Sequence, residues 1–531
     1  MPQDADSTTA TSVEQPDLAA VASAVEIAGS VVENAFRHLA AAADQVVAYD
    51  LAHAAAVVEN ARAVLDYGKN GDEEVRIACA FVADAVHDVA TRLIGREREW
   101  GAEQGALDSA LAFTRPYRSP EFLSALCGSQ GPRHLDEDFV MVQDTFRRFA
   151  EERIRPIAEE IHRNNEDIPE TIIEGLSELG TFGVSIPEEY DGFAAAGEGE
   201  YLSMVVATEE LSRGSLGVGG SLVTRPEILA RALLAGGTEA QKREWLPRMA
   251  SGELMVAIAV TEPDYGSDVA SLRTTATPDG DGWRVNGVKT WCTFGARADV
   301  FMLLARTDAD RSKGHRGLSL FIVPKERGSG HSFEFSQEGG GSMEGRAIDT
   351  IGYRGMHSYE VAFDNWYVPA ENLIGGEEGL GRGFYLQMAG FENGRIQTAA
   401  RAVGVMQAAY EAAYDYASER NVFGKPIIEF QLTRAKLARM AVIIQASRQF
   451  AYRVARLMAR GEGAMEASMV KAYVCRVAEW VTREAMQIHG GMGYAEEFPV
   501  SRYYVDARVL SIFEGADEIL ALKVIARRLA P

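Results

Sequence analysis

Apolar residues recur at helical spacing through the first hundred positions: Leu18, Val21, Val25, Val32, Phe36 and Leu39, then Val75, Val82, Val86 and Leu93. Gly68-Lys69-Asn70-Gly71 interrupts the pattern, which predicts two to three helices between about Asp17 and Trp100. A linker carrying Pro116, Pro120 and Pro132 is expected to follow. From Leu135 a second helical region opens with Phe139, Val142, Phe146, Phe149 and Ile154, and runs to about Gly252. Between Met255 and about Gly375 the period changes, and the runs VFMLLA, GLSLFIV and YEVAFDNWYV read as strands. Helical spacing then returns at Val403, Met406, Tyr410 and Ala417, and at Leu437, Met440, Ile444, Val454 and Met458, stopping at Gly461. The chain is therefore expected to be α+β, with boundaries at 1–132, 133–254, 255–375 and 376–531.

Composition narrows the classes of function. The 531 residues hold 53 Lys and Arg against 77 Asp and Glu, a net charge of −24 that repels phosphate backbones and disfavours nucleic acid as a partner. No membrane-spanning run stands out in the sequence. The first residues are polar and acidic, with no basic residue before Arg37, which fits neither a secretory signal nor an Arg-rich transit peptide; the expected location is cytoplasmic. Cys79, Cys127, Cys292 and Cys475 are scattered without metal-ligand or disulfide spacing, so no metal is expected.

Two stretches carry candidate chemistry. In AIAVTEPDYGSDVASLRTTATPDGDGWRVNGVKTWCTF, from Ala257 to Phe294, the dipeptides Asp281-Gly282 and Asn286-Gly287 read as hairpin turns. Strand alternation would put Trp291 and Thr293 on one face. An indole beside a hydroxyl could flank a flat heteroaromatic ring; it could equally be a cross-strand pair on a half-buried sheet. In the last segment, from Gln487 to Leu529, Glu514 stands between Ile512-Phe513 and Gly515-Ala516. A desolvated carboxylate beside small residues suits a base close to a ligand, although an ordinary Glu at a loop-to-helix junction reads the same way.

The TEPxxGSD loop, the KTWxT strand, the SERNVFGKPIIEFQ segment, the QIHGGMGY segment and the final FEG occur in the order found in the acyl-CoA dehydrogenase family of flavoproteins, which the chain resembles from roughly His134 onward. The resemblance implies a helical domain, a central antiparallel β-domain and a C-terminal four-helix bundle, with the N-terminal helices as an added extension. It implies FAD as cofactor and α,β-dehydrogenation of an acyl-CoA, with Glu514 as the base. A second place where the family carries its base falls in Phe391-Glu392-Asn393-Gly394-Arg395, where Gly394 holds the position before the arginine. The backbone N–H of Glu514 is implied as a donor to the thioester oxygen, with Gly515 permitting close approach. Thr261, Ser267, Trp291 and Thr293 resemble flavin-contacting residues. Arg420, Phe423, Gln431, Gln487, Gly490 and Gly491 resemble residues that reach the ADP half of FAD from a neighbouring subunit. Ser267, Gly394, Arg395 and Gly515 resemble substrate contacts. The implied partners are an acyl-CoA, an electron-transferring flavoprotein and a second copy of the chain in a homodimer, or further copies in a tetramer; no membrane is implied.

Two departures stand out. Ala516 and Glu518 replace a Thr and a Gln of the family pattern, so either the loop sits differently or Glu518 pairs with a cation such as an arginine of the terminal ARR. The Gly-rich stretch ERGSGHSFEFSQEGGGSMEGRAIDTIGYRGMHS reads as an enlarged loop. The long helical extension and the IGYRGMHSYEV segment resemble family members acting on a methyl-branched, carboxylate-bearing acyl group. Such a substrate needs space near its α-carbon, which Gly394 could supply, and a positive or multiply donating group, for which Arg225, Arg354 and His357 are candidates alongside structural roles. The competing expectations are a short-chain, branched-chain or glutaryl-type dehydrogenase, an acyl-CoA oxidase, whose chain usually continues into a further helical domain, and a non-redox nucleic-acid-protecting module, which would carry a basic patch.

Overall fold

The computed structural model describes residues 16–39, 44–194, 197 and 199–530. The chain divides into two compact units. One takes in the described residues of Met1–Arg133, Tyr414–Gln449 and Leu529–Pro531; the other takes in those of His134–Ala413 and Phe450–Arg528.

In the first unit, α1 (Leu18–His38), α2 (Gln45–Tyr67) and α3 (Asp72–Leu93) pack on one another. The Asp17 carboxylate caps α1 by accepting from the Ala19 and Ala20 amides at 2.9 and 3.2 Å, and Asp44 caps α2 through the Val46 amide at 2.8 Å. Asp72, Glu73 and Glu74 open α3, where acidic side chains suit the helix dipole. Short helices α4 (Glu97–Trp100), α5 (Asp108–Tyr117) and α6 (Pro120–Ala125) follow. The expected linker is thus largely helical: Pro116 lies in the last turn of α5, and Pro120 occupies the first turn of α6, where a missing N–H costs nothing. Helix α1 is also long and apolar enough to cross a membrane by length and composition, which the sequence reading missed; its Val21, Val25, Val32 and Phe36 are buried.

The second unit begins with α7 (Glu137–Phe149), α8 (Arg155–Asn164), α9 (Glu170–Glu178), α10 (Gly199–Gly214), α11 (Thr224–Gly236) and α12 (Glu239–Ala250). The strands β1 (Val256–Ala259), β2 (Thr275–Asp279), β3 (Gly282–Thr293), β4 (Val300–Arg306), β5 (Leu318–Pro324), β6 (Ser332–Ser336), β7 (Ser342–Ile348) and β8 (Ser358–Pro369) make one sheet in the order β1-β4-β2-β3-β8-β7-β6, with β5 also on β4. The sheet is mixed rather than antiparallel throughout, because β4 pairs in parallel with β1 and β2. Ile228, Leu229, Leu233, Trp245 and Met249 of α11 and α12 share one buried cluster with Val256, Met302, Leu304, Leu320 and Ile322 of the sheet. Truncating Leu233 in such a core costs on the order of 2–5 kcal/mol.

Local departures from the expected strands have clear causes. Asp279 pairs with Gly282, so Gly280-Asp281 makes the turn between β2 and β3. Asn286-Gly287 is no hairpin: it lies inside β3 at a register shift, where Gly287 has φ 145° and a Cβ would meet the Thr274 backbone at 2.7 Å. The Gly-rich stretch is not an enlarged loop but contains the β6–β7 hairpin, turned through Gly339 and Gly340 at φ 100° and 93°.

Beyond the sheet, α13 (Gly383–Glu419) precedes a two-stranded ribbon of β9 (Asn421–Val422) and β10 (Lys425–Pro426). The chain continues as α14 (Gln431–Ala459), α15 (Ala464–His489), α16 (Val500–Leu510), α17 (Asp517–Ile519) and α18 (Ala526–Leu529).

Candidate active site

Glu514 sits in the tight loop between α16 and α17. The Asp517 amide donates to the Ser511 carbonyl at 3.2 Å and closes it, and Glu514 and Gly515 are both left-handed, at φ 53° and 96°. A glutamate in that region costs on the order of 1–3 kcal/mol and persists only where its surroundings hold it. The carboxylate points toward α13: Glu514 Oε2 would lie 2.9 Å from a Cβ built on Gly394, and Ile228 Cδ1 of α11 would lie 3.9 Å from the same point. Oε2 is buried and accepts no hydrogen bond from the protein. A buried carboxylate oxygen without a partner is rare, and it suits a group whose partner arrives with a ligand.

Buried cations surround the loop. Lys471 of α15 donates to the Gly515 carbonyl at 2.6 Å. The Arg401 guanidinium of α13 lies 4.8 Å from the Phe513 ring centre and donates to Thr398 Oγ1 at 2.6 Å and Ser221 Oγ at 3.3 Å, while its buried Nε has no partner. On the other side of Phe513 the Tyr353 ring meets it edge-on at 5.6 Å, and Arg225 donates to Tyr353 Oη and to the Ser221 carbonyl, each at 2.9 Å. Burial pulls Lys471 and Arg401 below their ordinary values, with the Glu514 charge acting against it in both.

Of the three candidates for a carboxylate partner, Arg225 alone belongs to this cluster. Arg354 spends its donors on the Thr350 and His162 carbonyls at 3.0 and 2.9 Å, and His357 faces Asp167 at 3.2 Å; both lock the fold. Arg401 and Lys471 escaped the sequence reading. Their signal was a charge set among apolar neighbours on a helix, in AARAVGVM and SMVKAYV.

The implied flavin residues gather around β3. The Thr290 amide donates to the Thr261 carbonyl at 2.8 Å, which joins the loop carrying Thr261, Gly266 and Ser267 to the strand carrying Trp291. Beneath them Lys289 donates to Glu262 at 3.0 Å and to the Val260 carbonyl at 2.9 Å, and Glu262 accepts from the Arg273 and Thr274 amides at 2.7 and 2.8 Å. Burial alone would raise the Glu262 carboxyl; the Lys289 ammonium and the two amides outweigh it and hold the carboxyl below the ordinary glutamate range. Simple alternation fails at Trp291. A bulge between Lys289 and Cys292 places Trp291 at φ 59° with 54% of its surface exposed, whereas Thr293 is buried and hydrogen-bonds Ser358 Oγ at 2.9 Å. An exposed indole next to the Thr261 and Ser267 loop fits a flat, hydrogen-bonding ring; Thr293 reaches such a ring only by sharing its hydroxyl with Ser358.

The remaining implied residues lie at the surface. Arg420, Phe423 and Gln431 are exposed in the first unit, with Phe423 left-handed at φ 53° and 93% exposed. In the second unit Gln487, Gly490 and Gly491 are exposed, and a Cβ on either glycine would meet nothing within 4 Å. Arg395 donates to Ser468 at 3.2 Å on the α13 face beside Gly394. Glu518 is exposed and makes no ion pair among the described residues, which removes the pairing expected for it.

The FEG loop thus sets Glu514 against α13 within a helix–sheet–helix framework. Models of the acyl-CoA dehydrogenase N-terminal, middle and C-terminal domains match residues 136–253, 257–366 and 381–530, and the chain belongs to this family of oxidoreductases. It is 50% identical over 400 residues to a (2S)-methylsuccinyl-CoA dehydrogenase of Cereibacter sphaeroides, covering 75% of this chain and 71% of that protein. Its fold matches butyryl-CoA dehydrogenase from Megasphaera elsdenii with a TM-score of 0.68 at 33% identity, over 75% of this chain and 99% of the other. A glutaryl-CoA dehydrogenase from Mycobacterium smegmatis in complex with FADH2 matches with a TM-score of 0.63 at 26% identity, over 73% and 94%.

Proposed function

We propose that the protein binds FAD and converts (2S)-methylsuccinyl-CoA to mesaconyl-CoA, a reaction of the ethylmalonyl-CoA pathway. The observation that carries this reading is that the unpartnered Glu514 Oε2 shares its loop surroundings with two buried arginines, Arg225 and Arg401, disposed about Phe513 and Tyr353. A fatty acyl chain has no use for two buried guanidiniums. A free carboxylate does, through charge-assisted hydrogen bonds.

The residues divide the work as follows. Glu514 takes the α-proton through Oε2, its backbone N–H donates to the thioester oxygen, and Gly515 lets the ligand approach the backbone. Gly394 faces that carboxylate without a side chain to displace it, and the methyl group on the α-carbon lies on this side of Glu514. The free Nε–H of Arg401 receives the distal carboxylate, and Arg225, bonded to Tyr353 Oη and the Ser221 carbonyl, adds its positive charge beside it. Thr261, Ser267 and Trp291 hold and shield the flavin ring, with Thr293 behind them. Bound FAD supplies the acceptor for the β-hydride. Arg420, Phe423, Gln431, Gln487, Gly490 and Gly491 complete the site of a second copy in a homodimer, and an electron-transferring flavoprotein reoxidises the enzyme. The identity with the Cereibacter sphaeroides protein supports this substrate over butyryl-CoA or glutaryl-CoA.

Anaerobic titration of the purified holoprotein with methylsuccinyl-CoA, glutaryl-CoA and butyryl-CoA tests the reading. Methylsuccinyl-CoA is expected to bleach the flavin fastest, and Arg225→Met to slow it on that ester by about tenfold to a hundredfold while sparing butyryl-CoA. Preferential bleaching by butyryl-CoA would overturn the substrate assignment.

A further inference from the structure

We infer that Lys471 is a positioning residue for the base: its ammonium pins the Gly515 carbonyl and presents a fixed positive charge to the Glu514 carboxylate from inside the helical core. The inference rests on the reading of Glu514 as the base.

Lys471 comes from the middle of α15 and is 1% exposed. Taking an ammonium that far out of water costs several kcal/mol unless the protein returns it in fixed interactions. Its hydrogen bond goes to one loop carbonyl at 2.6 Å, a contact that a neutral donor could make as well. The charge itself is therefore in surplus of what the carbonyl requires. The charged and titratable groups that face it are Glu514 and Asp517 from the loop and α17, Arg395 from α13, and Cys475 one turn along α15. Both acidic groups belong to the segment that Lys471 grips.

The grip falls where it matters for geometry. Glu514 and Gly515 form a corner of two left-handed residues, and a glycine is free to rotate unless something fixes its carbonyl. Tying Gly515 O to a helix side chain fixes the peptide that follows, and with it the corner from which the Glu514 side chain projects toward Gly394. Arg401, against the Phe513 ring, steadies the preceding residue. The base is thus held on both sides by side chains of α13 and α15.

The test uses the full-length holoenzyme and three variants. Lys471→Met removes the donor and the charge; Lys471→Gln keeps a donor and removes the charge; Glu514→Gln serves as the background. With FAD content and thermal midpoint measured alongside, kcat of Lys471→Met is expected to fall about tenfold to a hundredfold, the scale of a misplaced catalytic group, with KM within about threefold. Lys471→Gln is expected to recover part of the lost kcat, because it restores a donor to the Gly515 carbonyl. Added to Glu514→Gln, Lys471→Met should cost nothing further. If Lys471→Met does not fold, Lys471→Gln decides, with a fall in kcat at a KM within about threefold of native expected. Native kcat in both Lys471 variants, or the same fold-loss in the Glu514→Gln background, overturns the role of Lys471 while leaving the base intact. Ordinary turnover of Glu514→Gln overturns the base, and the inference with it.

Discussion

Glu514 Oε2 lies 2.9 Å from the point where a Cβ on Gly394 would stand, so the carboxylate of the C-terminal loop and the bare backbone of α13 occupy adjoining halves of one space. A real Cβ does not come that close to a carboxylate oxygen, and a side chain at 394 would have to push the Glu514 carboxylate aside. The two places where the family carries its base are thus neighbours in space here.

That contact predicts the effect of a single methyl group. Gly394→Ala is expected to leave fold and flavin content unchanged, because the nearest atom to the new methyl is the end of the flexible Glu514 side chain, and to lower kcat by about tenfold to a hundredfold through displacement of that side chain. Loss should be greater for an α-methyl acyl-CoA than for an unbranched one, since the added group competes with the branch for space. Steady-state kinetics on the two esters checks both points; equal losses would remove the role given to Gly394 in accepting the branch.

The buried Lys289–Glu262 pair predicts a stability change and its pH dependence. Lys289 is 0% exposed and Glu262 5%, so Lys289→Met strands a carboxylate and should destabilise the protein by about 3–5 kcal/mol in urea unfolding, with faster loss of flavin as the Thr261–Ser267 loop loosens. Because the folded carboxyl of Glu262 is held below its unfolded value, its contribution is complete above the unfolded glutamate pKa of about 4.3 and is lost as pH falls through the lower folded value. Stability of Glu262→Gln should therefore approach that of the native protein as the solution is acidified through that window. A constant gap between the two curves would contradict the assignment.

The N-terminal helices predict an assembly change. Within the first unit Gln445 and Gln449 of α14 donate to the Pro132 and Arg133 carbonyls at 2.8 and 3.1 Å, Arg434 donates to the Ser124 carbonyl, and Arg439 pairs with Asp84 at 3.3 Å. Removing residues 1–133 strips those partners from α14. Light scattering is expected to show a dimer for the full chain and larger assemblies for the truncated one; an unchanged mass would show that the extension does not cap an association surface.

Much of the framework was legible because helical and strand periods change cleanly along the chain, and because the FEG, TEPxxGSD and KTWxT motifs are short and contiguous. What escaped depended on contacts between distant residues. Asn286-Gly287 carries a hairpin signature, yet Gly287 is needed for close approach to Thr274, so the same dipeptide makes a bulge. Trp291 breaks alternation for a similar reason, since the bulge before Cys292 turns it outward. The Gly-rich stretch hid β6 and β7 because the run Gly339-Gly340-Gly341 reads as a loop while it is the turn that joins two short strands. Arg401 and Lys471 looked like ordinary helix charges; their meaning came only from the Phe513–Gly515 loop packed over them.

The most direct test is the anaerobic rate of flavin bleaching when methylsuccinyl-CoA is mixed with Glu514→Gln holoprotein. The substitution keeps the shape of the side chain and removes its basicity, so FAD content and ester affinity should stay as in the native protein while the bleaching rate falls by about a thousandfold or more. Bleaching at the native rate would contradict the assignment of Glu514 as the group that takes the α-proton.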